Sequence, residues 1–249
     1  MRGWRLALLL PLALLCAAHA RTVHAQALVA DLNNHLVAIT TGFTGTNVTL
    51  FGATDGNGDV IVVVRGPERD VTVRRKSKVA EVWVNTRQIT FQGVPSFYSI
   101  ASNKPLDDIA PPAMRQLHQI GLESLRLATE APISPQETEE FRSALLRNAA
   151  RAGLYPSGVG QVRFLGDKLF RTDIRFPANV PTGTYLVQVF LVRDKAVVAG
   201  QTTPLVISEL GIDAEVHDFA DRFALAYGLV AITLAALAGW LASLPFRNA

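Results

Sequence analysis

The chain has 249 residues, of which 49% are hydrophobic and 18% are charged, and its formal net charge is +3. A soluble domain usually carries about 25% charged residues, so this composition is tilted toward contact with a membrane, and the tilt lies at the two ends of the chain. Length and composition exclude an intrinsically disordered chain, a collagen-like repeat and a polytopic transporter. Between the ends there is room for one domain with a core, or for two small ones.

Residues 1–25 are predicted to be a secretory signal peptide. Two arginines precede an apolar run over 6–18, and small-residue cleavage sites end at Ala20 and Ala25. The run would make a helix of about 20 Å, which is too short for a hydrocarbon core of about 30 Å. An uncleaved anchor is the alternative. Cleavage would remove Cys16, the only cysteine, and with it any disulfide, thiol chemistry or thiolate metal site.

From residue 27 to residue 100 the pattern is one of short strands separated by turns. The five aliphatic residues Val60–Val64 are typical of a central strand that is buried on both faces. Around Trp83, apolar and polar residues alternate as they do in a half-buried strand. The other predicted strands are Leu28–Leu32, Leu36–Thr40, Asn47–Phe51 and Val71–Arg75. Strands about 10 residues apart with Gly and Asn turns indicate a sandwich or a barrel.

Residues 105–153 are predicted to interrupt the strands with a helical pair. The first helix follows two prolines and has an apolar stripe formed by Met114, Leu117, Gly121 and Leu125. In the second helix, Ser134 is a typical N-cap, Pro135 suits the first helical position, and Glu137 completes a capping box. Its stripe is formed by Phe141, Leu145 and Ala149, and Gly153 is placed to end it. Helices this short need to pack on the sheet.

Strands resume at Tyr155, and the predicted strands are Gln161–Leu165, Leu169–Phe176, Tyr185–Val192 and Ala196–Ile207. Gly183 lies two residues before Tyr185, an arrangement that resembles the tyrosine corner of immunoglobulin-like folds, where the phenol holds the preceding loop. We therefore predict a mainly β fold: one immunoglobulin-like β-sandwich over residues 26–222, built from both halves of the chain, with the helical pair inserted. Two separate small β-domains are the alternative.

Residues 223–244 are predicted to form one C-terminal transmembrane helix. These 22 residues carry no charge and would span about 33 Å as a helix. Acidic residues precede the segment and Arg247 follows it, so the tail 245–249 is expected in the cytoplasm. The alternative is a buried helix of a soluble domain. Small residues recur every four positions, either as a helix-packing stripe or by chance from the alanine content: Ala231, Ala235, Gly239 and Ser243.

Ordered short motifs run along nearly the whole chain after the signal peptide. They include Phe43-Thr44-Gly45, Leu50-Phe51-Gly52-Ala53, Val63-Val64-Arg65-Gly66-Pro67, Arg75-Lys76, Trp83-Val84-Asn85, Val94-Pro95-Ser96-Phe97-Tyr98, Leu169-Phe170-Arg171, Pro181-Thr182-Gly183-Thr184-Tyr185 and Tyr227-Gly228-Leu229. Together they resemble a family of alphaproteobacterial transmembrane proteins of unknown function. The resemblance implies no established activity. Because members of the family are described as encoded beside sulfite-exporter-like permeases, it implies such a permease as a partner.

One dense basic cluster is the candidate ligand-binding site. It consists of Arg74, Arg75, Lys76 and Lys78, whose cations suit a small oxyanion or anionic headgroups. The alternative is a charged edge strand that discourages aggregation between sheets. An exported protein does not normally meet nucleic acid, so we expect no nucleic-acid partner.

Other motifs favour structural roles. Asp55-x-Asn57-x-Asp59 begins like a calcium loop, but the glycine and the closing glutamate that the loop needs are missing, so a polar turn is favoured. The histidines His35, His118 and His217 lack ligand spacing. The sequence contains no nucleophile elbow, phosphate-binding glycine loop or recognisable carboxylate pair. We therefore expect no metal, no cofactor and no enzymatic activity.

The sequence as a whole predicts a single-pass protein of the bacterial inner membrane, with its N-terminal domain in the periplasm. The predicted function is that of a non-enzymatic accessory or interaction protein. Its expected partners are a membrane protein, with a sulfite-exporter-like permease suspected, and the lipid bilayer around the C-terminal helix. The second hypothesis is a periplasmic oxyanion-binding module that delivers its ligand to a permease.

Overall fold

A computed structural model describes residues 27–79, 81–130, 133–209, 220 and 222–243, so the predicted signal peptide and the tail 245–249 lie outside it. The strands are β1 (Leu28–Leu32), β2 (Leu36–Ile39), β3 (Gly45–Thr54), β4 (Asp59–Arg65), β5 (Glu68–Val79), β6 (Val82–Pro95), β7 (Tyr98–Ser102), β8 (Ala128–Thr129), β9 (Gly160–Gln161), β10 (Arg163–Leu165), β11 (Leu169–Pro177), β12 (Gly183–Arg193) and β13 (Ala196–Glu209). The helices are α1 (Leu106–Ile109), α2 (Pro112–His118), α3 (Pro135–Arg151) and α4 (Ala224–Ser243), with a short 3-10 helix over Leu122–Ser124. The predicted mainly β fold is confirmed.

Two sheets face each other across one hydrophobic core. The first has the strand order β1-β3-β11-β10, and the second has the order β2-β13-β12-β4-β7-β9. Strands from both halves of the chain pair directly within each sheet, β3 with β11 and β4 with β12. Each of these two sheets is therefore built from both halves of the chain.

The strand β4 lies at the centre of the larger sheet. It pairs with β12 on one side and with β7 on the other, and Val60–Val64 are each at most 1% exposed. The prediction of a central strand buried on both faces is confirmed. At the other extreme, β11 alternates between exposed and buried residues along its length, because only one of its faces meets the core.

A third sheet has the order β5-β6-β8. The sequence predicted only Val71–Arg75 as the first of these strands, whereas β5 has 12 residues and β6 has 14. Helix α3 packs on this sheet through a second, smaller core, which is formed by Val73, Ile89, Phe91, Val94, Phe141 and Leu145. The inserted helix thus lies on a sheet, as predicted.

The predicted start of α3 is confirmed. The Ser134 hydroxyl accepts a hydrogen bond from the Glu137 backbone N–H at 3.2 Å, and Pro135 occupies the first turn. Gly153 follows the helix with φ +72°, in the left-handed region that favours glycine at a helix end. The capping box is only half formed, because the Glu137 carboxylate binds Arg87 instead of turning back toward Ser134.

The first predicted helix is shorter than its apolar stripe suggested. Helix α2 ends at His118, and Gln119 adopts a left-handed conformation at φ 52°. Gly121 then takes φ +95°, which also leaves the helical region. As a result Leu117 is 67% exposed, and the prediction that Met114 and Leu125 belong to one helix is wrong.

At the C-terminal end, α4 covers all but the first and last residues of the predicted transmembrane segment. It carries exposed apolar side chains, such as Leu225 at 89%, Leu229 at 67% and Ile232 at 68%. No helix within the described part of the chain has the combined length and apolar character needed to span a membrane. The span over 223–244 therefore stays a prediction.

Candidate functional site

The basic cluster lies on a long hairpin formed by β5 and β6. The antiparallel β4–β7 pair ends with Arg65 opposite Tyr98. The β5–β6 pair starts just beyond it, with Glu68 opposite Pro95. All residues from 81 to 88 are exposed. Strand β5 thus continues from β4, and β6 leads into β7, so that the β5–β6 hairpin extends past the end of the large sheet.

The junction between the large sheet and the hairpin depends on close backbone contact. The Gly66 N–H donates to the carbonyl oxygen of Phe97 at 2.8 Å, and the Ser96 N–H donates to that of Pro67 at 2.9 Å. A Cβ atom on Gly66 would lie 2.6 Å from the Ser96 hydroxyl oxygen. Glycine therefore permits the close approach that joins the two pairs of strands.

One face of the hairpin is occupied by α3, and its arginines are paired there. Arg75 forms an ion pair with Glu140, and its guanidinium carbon lies 5.0 Å from the centre of the Phe141 ring. Arg87 makes two hydrogen bonds to the carboxylate of Glu137, at 2.7 and 3.2 Å. These hydrogen bonds hold the pKa of Glu137 below its ordinary value. The cations on this face hold the helix against the sheet.

The other face carries the remaining three residues of the predicted cluster. Because side chains alternate along β5, Arg74, Lys76 and Lys78 lie opposite the Arg75 face. The Arg74 Nε atom lies 3.4 Å from an oxygen of Gln88, and Lys78 forms an exposed ion pair with Glu81. Lys76 has no hydrogen-bond or ion-pair partner among the described residues. The structure thus brings three of the four predicted residues together and assigns Arg75 to a structural contact.

Apolar side chains lie next to these cations at the end of the hairpin. Val82 is 61% exposed and Trp83 is 67% exposed. Trp83 is the direct cross-strand partner of Lys78, so the two side chains share a face. We refer to Lys76, Lys78 and Val82–Val84 as the hairpin tip. It combines an exposed indole, exposed valines and ammonium groups.

A cavity of about 260 Å³ lies between the base of the hairpin and α3. Its apolar lining includes Val71, Val73 and Leu145. Arg69 is the cation on the α3 side, whereas the Arg74 side chain lies on the opposite face of the hairpin. Arg69 forms no ion pair with a described residue, so the cavity offers one guanidinium group beside apolar walls. Sequence analysis missed it because its two sides come from distant parts of the chain.

Ser96 is a buried polar residue at this cavity. It is 3% exposed and lines the same cavity. Its hydroxyl lies beside the Tyr185 phenol, but no hydrogen bond of good geometry joins the two groups. The phenol donates to the carbonyl oxygen of Pro181 at 2.6 Å. That last bond is the loop contact that the tyrosine-corner pattern predicted. Burial raises the pKa of Tyr185 to about 12.

The predicted polar turn is held by ion pairs. Asp55 binds Arg193, whose guanidinium also donates to the carbonyl oxygen of Asn57. Asp59 pairs with Lys104 at 3.0 Å. Within the described residues, no group of three or more His, Cys, Asp or Glu side chains could hold a metal ion. The oxygens of this turn thus have protein partners.

The two described histidines, His35 and His118, have different neighbours. His35 contacts Asp31 at 2.9 Å, and the His118 ring packs against Phe190 with centroids 5.1 Å apart. His217 lies outside the described residues. Both described histidines have local structural contacts, so neither adds to the hairpin site.

A group of hydrogen bonds that the sequence did not predict holds the C-terminal end of α2. Arg65 donates to the backbone carbonyls of His118 and Gln119. The Tyr98 hydroxyl donates to the Gln119 carbonyl at 3.0 Å and accepts from the Gly121 N–H at 2.7 Å. Burial raises the pKa of Tyr98 to about 12. These groups satisfy the backbone of a helix end, so we assign them to structure rather than to binding.

The small-residue stripe lies on α4. Ala231, Ala235 and Gly239 are exposed along one side of the helix, and a Cβ atom on Gly239 would meet nothing within 4 Å. Ser243 is the last residue of α4. Nothing in the described part of the chain covers this side at Gly239.

The chain belongs to the family described as "Putative transmembrane protein (Alph_Pro_TM)", whose model matches residues 27–248. The match runs from the start of β1 past the end of α4, so it includes the sheets, the hairpin and the C-terminal helix. No curated protein and no solved structure matches the chain. The resemblance inferred from the sequence motifs is thereby confirmed at the level of the family.

Proposed function

We propose that this protein is a non-enzymatic accessory protein, held at the bacterial inner membrane by one helix, with an immunoglobulin-like sandwich in the periplasm. The observation that carries the proposal is the contrast between the two parts of the chain. The sheets enclose a complete core, whereas α4 exposes Leu225, Leu229 and Ile232. An uncharged helix with apolar residues on all sides needs an apolar environment, and a bilayer provides one.

The membership of a transmembrane family supports the anchor. The predicted span, 223–244, reaches one residue beyond the described helix at its C-terminal end. With a cleaved signal peptide, this segment would stop transfer and leave the sandwich outside the cytoplasm. The tyrosine-corner bond of Tyr185 supports the immunoglobulin-like assignment.

The proposed partner is a membrane protein, and a sulfite-exporter-like permease is the candidate. Lipid gives no hydrophobic drive between membrane helices, so close packing along small residues is the main way that such helices associate. The exposed side of α4 that carries Ala231, Ala235 and Gly239 provides such a packing surface.

Co-purification from native membranes tests the proposal. The double variant Ala235→Leu/Gly239→Leu fills the small-residue side without adding charge, so insertion should be unchanged and the partner should be lost. Ala226→Leu is the matched control, since residue 226 lies on the opposite side of the helix from residue 235. If the wild type, the double variant and Ala226→Leu all retain the partner, the small-residue side of α4 is not the surface that binds it. A wild-type chain that co-purifies with no membrane protein would refute the accessory role.

A second candidate function is the capture of an oxyanion. The observation that favours it is the cavity beside α3, where the Arg69 guanidinium has no ion-pair partner among the described residues and lies close to apolar walls. A guanidinium group is a suitable donor to sulfite or sulfate. Calorimetry of the full chain in detergent should then show binding that Arg69→Gln abolishes and that Arg175→Gln, which removes an exposed arginine of β11, keeps. No heat at millimolar ligand with a folded protein would exclude this function.

A further inference from the structure

The hairpin begins at the same end of the sandwich at which β13, the last strand before the C-terminal helix, ends. Strand β4 ends at Arg65, opposite Leu186 near the start of β12. The start of β12 also pairs with the end of β13, where Gly183 lies opposite Ile207. Glu209, the last residue of β13, lines one cavity of about 540 Å³ together with the first residues of β5. The hairpin and the segment that leads to α4 therefore start from the same end of the sandwich.

The hairpin and the segment between Glu209 and Phe223 can extend over similar distances. Strand β5 has 12 residues, which extend about 40 Å at about 3.3 Å per residue. Thirteen residues separate Glu209 from Phe223, and they can span at most about 45 Å. The hairpin tip can therefore reach the surface of a membrane that holds α4.

The chemistry of the hairpin tip fits that surface. Trp83 is amphipathic and exposed, which is typical of residues at a membrane–water interface. Lys76 and Lys78 lie on its face, while the arginines of the opposite face are neutralised by Glu137 and Glu140. On this face Lys78 is paired with Glu81, so its net positive charge comes from Arg74 and Lys76, and anionic headgroups attract that charge. Lysine is depleted at the centres of protein interfaces, which favours lipid over a protein here.

We propose that the hairpin tip docks on the anionic surface of the membrane in which the C-terminal helix is anchored. The inference rests on the proposed anchor and adds a second membrane contact. With two contacts, the sandwich would have a defined orientation above the bilayer instead of swinging on its linker.

Tryptophan fluorescence can separate the two contacts. After removal of the signal peptide the chain has two tryptophans, Trp83 and Trp240. The variant Trp240→Phe reports on the hairpin tip alone, and Trp83→Phe reports on the anchor alone. Each variant is reconstituted as the full chain into vesicles of brominated phosphatidylcholine, with and without phosphatidylglycerol. Bromine quenches only an indole that lies in the lipid.

The proposal predicts that Trp240 is quenched in both lipids and that Trp83 is quenched only with phosphatidylglycerol and at low salt. On the Trp240→Phe background, Lys76→Gln/Lys78→Gln should weaken docking roughly 25-fold, at about fivefold per lysine. Arg163→Gln/Arg171→Gln removes the same charge from exposed positions of β10 and β11 and should change nothing.

Each other outcome has a distinct meaning. Quenching of Trp240 without quenching of Trp83 would overturn the docking of the tip and leave the anchor intact. An unquenched Trp240 would refute the anchor itself. Equal quenching of Trp83 in neutral and anionic lipid would overturn the electrostatic part. A Trp83 that is unquenched in vesicles but has blue-shifted emission in native membranes would identify a protein as its partner and overturn the lipid proposal.

Discussion

The packing of α3 on the hairpin gives the most direct quantitative prediction. Phe141 is 2% exposed in the second core, and its ring also lies under the Arg75 guanidinium. Truncating a buried phenylalanine to alanine costs about 3–5 kcal/mol, and loss of an exposed cation–π contact adds about 0.5–1 kcal/mol. For a body of this size, each kcal/mol lowers the unfolding midpoint by about 2–4 °C. Phe141→Ala should therefore cost about 3.5–6 kcal/mol in all and lower that midpoint by about 7–24 °C.

The assay is thermal unfolding of the full chain in detergent, followed by circular dichroism. Leu117→Ala is the control, because Leu117 is 67% exposed on α2 and its truncation should change stability by at most about 0.5 kcal/mol. Hydrogen exchange should also speed up in β5 and β6 of the Phe141 variant. If both variants unfold at the same midpoint, or exchange in the hairpin is unchanged, α3 does not stabilise the hairpin as described.

Three further predictions concern single groups. Gly66→Ala should destabilise the chain by about 1–3 kcal/mol in denaturant unfolding, because a Cβ atom would lie 2.6 Å from the Ser96 hydroxyl oxygen. Gly158→Ala is the control: a Cβ atom there meets nothing within 4 Å, so stability should not change. Because Arg87 lowers the pKa of Glu137 in the folded chain, the Glu137 carboxylate contributes stability at pH values above its ordinary pKa of 4.5, and this contribution is lost as the pH falls. Glu137→Gln should therefore reduce the fall of the unfolding midpoint on the acid side. Burial raises the pKa of Tyr98 from 10 to about 12, so stability should fall as the pH rises above 10. The absorbance of ionised Tyr98 should then appear together with unfolding. Ionisation of every phenol in the folded chain near pH 10 would contradict this burial.

Features with a local cause could be predicted from the sequence. Five adjacent aliphatic residues are sufficient to indicate a strand buried on both faces, and Val60–Val64 form one. The cap at Ser134 depends on residues within one helical turn. The phenol of Tyr185 reaches a carbonyl only four residues earlier. In each case the interacting groups are neighbours along the chain, so spacing alone identifies them.

Features that depend on distant partners could not be predicted. The four cations of the cluster are close in sequence, but their division between two faces requires the pairing of β5 with β6, including the irregularity between Arg75 and Lys76. The role of Arg75 depends on Glu140, which is far along the chain. The sequence predicted too short a hairpin, because the charged residues after Arg75 do not show the alternation of apolar and polar residues that indicates a strand. The end of α2 depends on the backbone of Gln119 rather than on its apolar stripe.

The topology of the chain is the most direct test of the proposed function. No cysteine remains after residue 25, so a single introduced thiol can be labelled without background. We predict that a membrane-impermeant maleimide added to intact spheroplasts labels Ser157→Cys, an exposed position of the sandwich, and labels Asn248→Cys only after permeabilisation. Labelling of Asn248→Cys in intact spheroplasts, with Ser157→Cys protected, would show the opposite orientation. Labelling of both positions in intact spheroplasts would show that the chain does not cross the membrane.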